Sequence, residues 1–257
     1  MYIVNFQGIN ACSGVSSIAA ALSWSLSIHG NTVLFLNAAS QNFSLCTDSL
    51  VGLDKDNLPK EGWSDYFSHN YQKEVFYLLE WGKNCYYLPF GKTAISDEAP
   101  EFVDRLIKKL GSLSKIDFLV VDAGTRESRL AEEFSKASSL SVTVITPESN
   151  TVIKLEECNP RENEYFLLNK FMMKSIVMND IELLLRKSKL SESMFKYVVQ
   201  YDESMMRASM QMMPVTRYLP IASASKSIEK LMVDIILICR LTDEKADEQQ
   251  DKAEDYE

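Results

Sequence analysis

The chain has 257 residues, 46% of them hydrophobic and 25% charged, the make-up of a folded globular protein with a sizeable core. Net charge is −9, and residues 243–257, with eight acids and two lysines, hold six of those negative charges. A body near neutrality and an acidic end argue against a general nucleic-acid binder, and two histidines (His29 and His69) leave no basis for a histidine-rich metal site.

In chain order, β-rich runs are expected at 2–6, 32–36, 86–88, 118–121, 141–145, 165–168 and 195–199. Helix-length segments fall between most of them, at 17–29, 99–110, 127–136, 151–157, 179–187, 203–210 and 225–241. Strands alternating with helices predict βαβ units, and runs such as FLVV and VTVI, apolar throughout, predict strands buried on both faces. The expected fold class is therefore α/β, a three-layer αβα sandwich with a mainly parallel sheet. One domain over residues 1–242 and an acidic, unstructured extension over 243–257 is the simplest division. The stretch 40–84 is the least regular and reads as an insertion with short helices of its own. Its aromatics (Trp63, Tyr66, Phe67, Tyr71, Phe76, Tyr77 and Trp81) either pack onto the sheet or present a partner surface.

The N-terminus opens straight into strand-like residues, so no secretory leader is expected. The most apolar stretch, 231–239, is interrupted by Asp234 and is too short to span a membrane. Five cysteines (Cys12, Cys46, Cys85, Cys158 and Cys239) are odd in number and widely spaced, which suits reduced thiols in a cytosolic protein.

The first strand ends at Gln7-Gly8, and a short loop leads into a helix that begins with small hydroxyl residues. Strand, loop and helix in this order form the place where backbone N–H groups hold phosphates. Residues 10–17 (Asn10, Ala11, Cys12, Ser13, Gly14, Val15, Ser16 and Ser17) are the candidate nucleotide loop, although they hold one glycine and no lysine. Ser16 and Asp122 are candidate Mg²⁺ ligands. Each has a plainer reading: Ser16 and Ser17 as helix caps, Asp122 as a turn cap, and Asn169 as a strand-end backbone partner.

Several stretches together resemble the MinD/ParA family of deviant P-loop ATPases and, within it, the BcsQ (YhjQ) group of cellulose-secretion accessory proteins. QGINACSGVSSIAAALSWSLSIHGNTVLFLNA is similar to the first βαβ unit, and EGWSDYF and YYLPFGKTAIS to BcsQ-type stretches. DFLVVDAG resembles the Walker B strand, YFLLNKF the strand whose Asn faces the base, and VVQYDESMMRASMQMMPVTRY the family's D-x-x-x-x-x-A-x-x-x-x-P-V ending. By this resemblance the first P-loop lysine falls on Asn10, two glycines on Ala11 and Cys12, the main lysine on Val15 and the Mg²⁺ hydroxyl on Ser16. The acid after the second strand falls on Asn37, and the Walker B acid survives as Asp122. Asn169 matches the base-facing Asn, Pro214 and Val215 the loop over the base, and Met212 a glycine.

The resemblance implies ATP and Mg²⁺ as ligands and a homodimer across the nucleotide face. It also implies BcsR-, BcsE- and cellulose synthase-like partners at the cytoplasmic side of the inner membrane. Phosphoryl transfer rests on positioned charge, and each lost transition-state donor costs about 10²–10³ in rate. Without either lysine and with Asn37 for an acid, the expectation is a scaffold subunit with little or no ATP hydrolysis. Two alternatives stay open: an active ATPase that recruits a secretion system, and a ParA-like positioning protein for DNA or other cargo. The acidic C-terminus argues against direct docking on anionic lipid. Nine of the eleven methionines lie between Met172 and Met213, as core filler or as an adaptable interface.

Overall fold

The computed structural model describes residues 1–254 except 40, 55, 58, 60, 69–77, 94, 96–98 and 114, and leaves out the side chains of 41–45, 67–68, 99 and 243–254. Seven strands form one sheet: β1 (Tyr2–Gly8), β2 (Val33–Asn37), β3 (Leu79–Gly82), β4 (Cys85–Leu88), β5 (Phe118–Thr125), β6 (Leu140–Ile145) and β7 (Glu164–Leu168). Their order is β3-β4-β2-β5-β1-β6-β7, with β3 antiparallel to β4 and every other pairing parallel. The helices are α1 (Val15–Ile28), α2 (Gln41–Leu50), α3 (Trp63–Ser68), α4 (Ala99–Gly111), α5 (Arg129–Ala137), α6 (Ser149–Glu157), α7 (Ile176–Lys187), α8 (Glu203–Met210), α9 (Val215–Tyr218) and α10 (Ser223–Glu254).

The sheet has apolar cores on both faces, which makes the three layers. One joins Val4, Phe6 and Val120 to Ile18 and Leu22 of α1 and to Ile228 and Ile235 of α10. The other joins Ile3, Leu34 and Leu119 to Leu106 of α4 and Phe134 of α5. β1, β5 and β6 are almost wholly buried because each has neighbours on both edges and helices on both faces. In register, Phe6 and Asn37 both stand opposite Asp122, so the ends of β1, β2 and β5 converge at one point. That is where open α/β sheets bind ligands.

Polar residues inside the sheet are paired across strands. Gln7 Nε2 donates to Thr143 Oγ1 at 2.9 Å and to Glu164 Oε1 at 3.0 Å. Arg126 caps this network with Nε 2.7 Å from Glu164 Oε1.

Three expectations meet a different structure. Residues 195–199 form no strand: the isolated bridges Phe166–Met194 and Phe171–Gln200 flank them, and they meet β7 and its exit through separate backbone bonds, Phe195 N–H to the Phe166 carbonyl at 3.0 Å and Val199 N–H to the Leu168 carbonyl at 2.8 Å. Lys196 and Tyr197 turn out to solvent there, so the segment crosses the edge of β7 without laddering. β3 was not anticipated. Its sequence, LEWG, carries a charge and a glycine, and it pairs only as the outer arm of a hairpin whose turn holds Asn84 at φ 61°. The backbone of α10 runs on through the acidic end to Glu254, where Glu, Lys, Ala and Gln are good helix formers, and not into an unstructured extension. Among the described residues, no helix is long and apolar enough to cross a membrane.

The aromatics of the irregular stretch divide. Trp63 is fully buried, edge-on to Phe90 and Phe134. Trp81 packs edge-on to Trp24 at 5.7 Å and beside Phe35. Both serve the core. Tyr71, Phe76, Tyr77, the Phe67 side chain and His69 lie outside the described residues.

Candidate functional site

The loop after β1 enters α1 through Gly14, which caps the helix at φ 97°. Only glycine adopts this backbone without strain. A Cβ at Gly14 would also stand 2.4 Å from Asn169 Nδ2. Among the described residues no side chain caps this N-terminus and no acid occupies its first turn. The first N–H groups of α1 are thus left for an external acceptor, at the end of the helix that favours anions. Ser16 and Ser17 are not caps; they lie inside the first turn. We expect Gly14→Ala to lower stability by about 1–3 kcal/mol, read as a lower urea midpoint at unchanged m value.

Two groups after β7 fasten the loop. Asn169, 3% exposed, donates from Nδ2 to the Ser13 carbonyl at 2.7 Å. Lys170 donates from Nζ to the Cys12 carbonyl at 2.7 Å. Asn169 thus ties the end of β7 to the loop. Cys12 itself sits at φ 61°, and Met212 at φ 53°. Both are positions that the resemblance gives to glycine. The left-handed backbone is kept by residues that adopt it at a cost of about 1–2 kcal/mol each.

The loop frames a cleft of about 360 Å³, lined by all of residues 10–17 together with parts of α2, β5 and α8. Ala11, Cys12, Val15, Ala39 and Leu50 make much of its wall apolar, and Lys170 is the one cation among the described lining residues. A neighbouring hollow of about 180 Å³ shares Gly14, Ser17 and Lys170 and is walled by Asn169, Tyr201, Asp202, Met205 and Met206. Pro214 and Val215 line neither hollow: Pro214 is the N-cap of α9, and Val215 is buried in the core with α1. The Asn10 side chain, at the rim of the cleft, donates from Nδ2 to Thr151 Oγ1 of α6 at 3.0 Å.

Beneath the loop lies a buried polar cluster. Asp122, fully buried, accepts from Thr47 Oγ1 at 2.6 Å through Oδ2 and from the Gly124 N–H at 3.2 Å through Oδ1. Thr47 Oγ1 lies 3.2 Å from Ser16 Oγ. Burial pushes the Asp122 carboxyl up, opposed by hydrogen bonds from Ser16, Thr47 and Gly124. Asn37 donates to Asp48 Oδ1 at 3.3 Å and to the Tyr87 hydroxyl at 3.2 Å, and its own Oδ1 accepts from the Ala39 N–H. The Tyr87 hydroxyl also bonds Asp48 Oδ1. Burial raises the Asp48 carboxyl, and the nearby Asp122 charge adds to the rise. An acid thus does stand beside Asp122, supplied by α2 and not by the end of β2.

A divalent cation is implied by the fold family, and its proposed ligands Ser16 and Asp122 are brought together. As arranged they do not fit an ion: both Asp122 oxygens are engaged and the carboxylate has no exposure. Thr47, Asp48, Tyr87 and Lys170 had not been singled out. Thr47 and Asp48 carry no local motif, and Tyr87 sits within an ordinary strand. Lys170 had the only available signal, its place next to Asn169. Of the methionines, Met205 packs on the core while Met206 and Met210 are 63% and 76% exposed at the cleft's α8 edge.

Solved MinD and ParA proteins share this architecture. A chain of the MinC:MinD cell division protein complex of Aquifex aeolicus superposes with a TM-score of 0.73 at 14% identity, over 92% of this chain and 96% of that one. The ParA family ATPase from Chlorobium tepidum TLS gives 0.70 at 19% identity, over 90% and 98%. The septum site-determining protein MinD of Pyrococcus horikoshii OT3, solved with Mg-ADP, gives 0.66 at 16% identity, over 94% and 98%. The fold is that of the MinD/ParA P-loop NTPases. The family model for cellulose biosynthesis protein BcsQ matches residues 1–235. Cellulose biosynthesis protein BcsQ of Escherichia coli K12 is 24% identical over 238 residues, 89% of this chain and 91% of that protein. The chain belongs to the BcsQ family of cellulose biosynthesis proteins.

Proposed function

We propose that this chain is a cytosolic accessory subunit of bacterial cellulose biosynthesis that acts as a scaffold, with nucleotide as a ligand and not a fuel. Family membership supports the role in cellulose biosynthesis. The observation that carries the loss of turnover is the cleft: a loop around an open helix N-terminus in which Val15 stands buried at the first position of α1 and no lysine lies within residues 10–17. Nucleotide binding here draws on the α1 N–H groups, Lys170 and the Asn169 side of the cleft. Transfer of a phosphoryl group needs concentrated positive charge, which these residues do not supply.

Two copies facing across the cleft form the working unit in this reading. The exposed Met206 and Met210 at its edge suit such an interface. Ligand occupancy then stabilises the dimer by mass action. Synthase-like, BcsR-like and BcsE-like partners hold it at the inner membrane without insertion of this chain. Asp122→Asn, which keeps the side-chain shape, should leave cellulose output at the wild-type level in a complemented deletion strain. Lost output at equal protein abundance would speak for an active ATPase. One observation favours that second reading: Lys170 places a cation against the loop.

A further inference from the structure

We propose that Thr47 closes the position a divalent cation would take in this cleft, so that a nucleotide enters without metal. The inference rests on the reading of the cleft as a nucleotide site. In P-loop NTPases the ion is held by a hydroxyl in the first turn of the loop's helix and an acid at a strand end. Ser16 and Asp122 are those groups, and they lie side by side. The space that serves them both is taken by an oxygen of the protein, Thr47 Oγ1, 2.6 Å from Asp122 Oδ2 and 3.2 Å from Ser16 Oγ.

A magnesium ion needs near-octahedral oxygens at about 2.0–2.1 Å and keeps several waters. Asp122 and Thr47 are both fully buried, and the second Asp122 oxygen faces the Gly124 N–H. No ion reaches Asp122 unless α2 withdraws. α2 is fastened immediately after the contact. Asp48, the next residue, is bound to Tyr87 and Asn37, and Leu50 is buried in the core with α1. The Thr47 hydroxyl thereby satisfies a buried carboxylate that an ion satisfies elsewhere, and it does so without bringing positive charge. Phosphate charge must then be met by the α1 N–H groups and Lys170 alone. That favours a nucleotide with fewer phosphates, ADP over ATP.

The test begins with metal alone. The full-length protein is titrated with Mn²⁺, following the free-ion EPR signal. Wild type should take up no ion at this site, whereas Thr47→Ala should bind Mn²⁺ and lose it again on adding Asp122→Asn. Thr47→Val, which removes the hydroxyl but refills the space, should exclude the ion as wild type does. Mn²⁺ uptake by wild type that Asp122→Asn abolishes would overturn the proposal, as would a folded Thr47→Ala that binds none. Should Thr47→Ala fail to fold, the wild-type titration decides. A second arm measures ADP and ATP affinity in Mg²⁺ and in EDTA. Equal ADP affinity in both supports the proposal, and tightening by about tenfold or more with Mg²⁺ contradicts it. If neither nucleotide binds while the Mn²⁺ results hold, the nucleotide reading fails and the closure by Thr47 stands.

Discussion

Replacing Arg126 by Met is expected to lower the unfolding free energy by about 3–5 kcal/mol, because it leaves the Glu164 carboxylate buried without its cation. Glu164 has no exposed side-chain surface and takes Arg126 Nε at 2.7 Å and Nη2 at 3.0 Å, the Thr143 hydroxyl, and the Arg161 N–H at 3.1 Å. Burial pushes its carboxyl up, but the hydrogen bonds from Arg126 and Thr143 outweigh burial and hold it below the ordinary value. A carboxyl depressed in the folded state adds stability that is complete above its unfolded pKa, about 4.3, and is lost as pH falls through the lower folded value. Wild type should therefore keep this contribution at mildly acidic pH. In Arg126→Met, burial is no longer opposed by the guanidinium; a carboxyl raised in the folded state is most destabilising when ionised, so the variant's deficit relative to wild type should narrow as pH falls from 7 to 5. Urea titrations at pH 7 and at pH 5 measure both effects. Adding Glu164→Gln to Arg126→Met should recover much of the loss, since the uncompensated charge is then gone.

Trp63→Ala is expected to cost about 3–5 kcal/mol as a large-to-small core change. Its ring is fully buried, edge-on to Phe90 at 5.2 Å and Phe134 at 6.2 Å, and its Nε1 donates to the Asn37 carbonyl at 2.7 Å. The indole therefore ties α3 to the end of β2, next to the cluster beneath the loop. Thermal unfolding followed by circular dichroism checks the loss. A cost below about 1 kcal/mol would favour the partner-surface alternative for Trp63.

β5 and β6 were readable from sequence because their strands are covered on both faces, and that burial is written as unbroken apolar runs. β3 was not, because LEWG is held by the hairpin with β4 and by Trp81 against Trp24, neither of which leaves a local pattern. Residues 195–199 misled for the opposite reason: a β-rich composition in a segment that meets the edge of β7 at isolated backbone bonds and does not run along it. The loop at 10–17 was legible because strand, loop and hydroxyl-rich helix start are contiguous. Thr47 lies 31 residues from Ser16 and 75 from Asp122, so only the folded chain brings them together. Lys170 reaches the Cys12 carbonyl across 158 residues for the same reason.

In the reading proposed above, a nucleotide-type fold persists without the charge that drives hydrolysis. Phosphate release from ATP by the purified full-length protein, with Mg²⁺ present, is the measurement that bears on it most. Release should not exceed that of Asp122→Asn. Magnesium-dependent release by wild type that Asp122→Asn abolishes would contradict the claim.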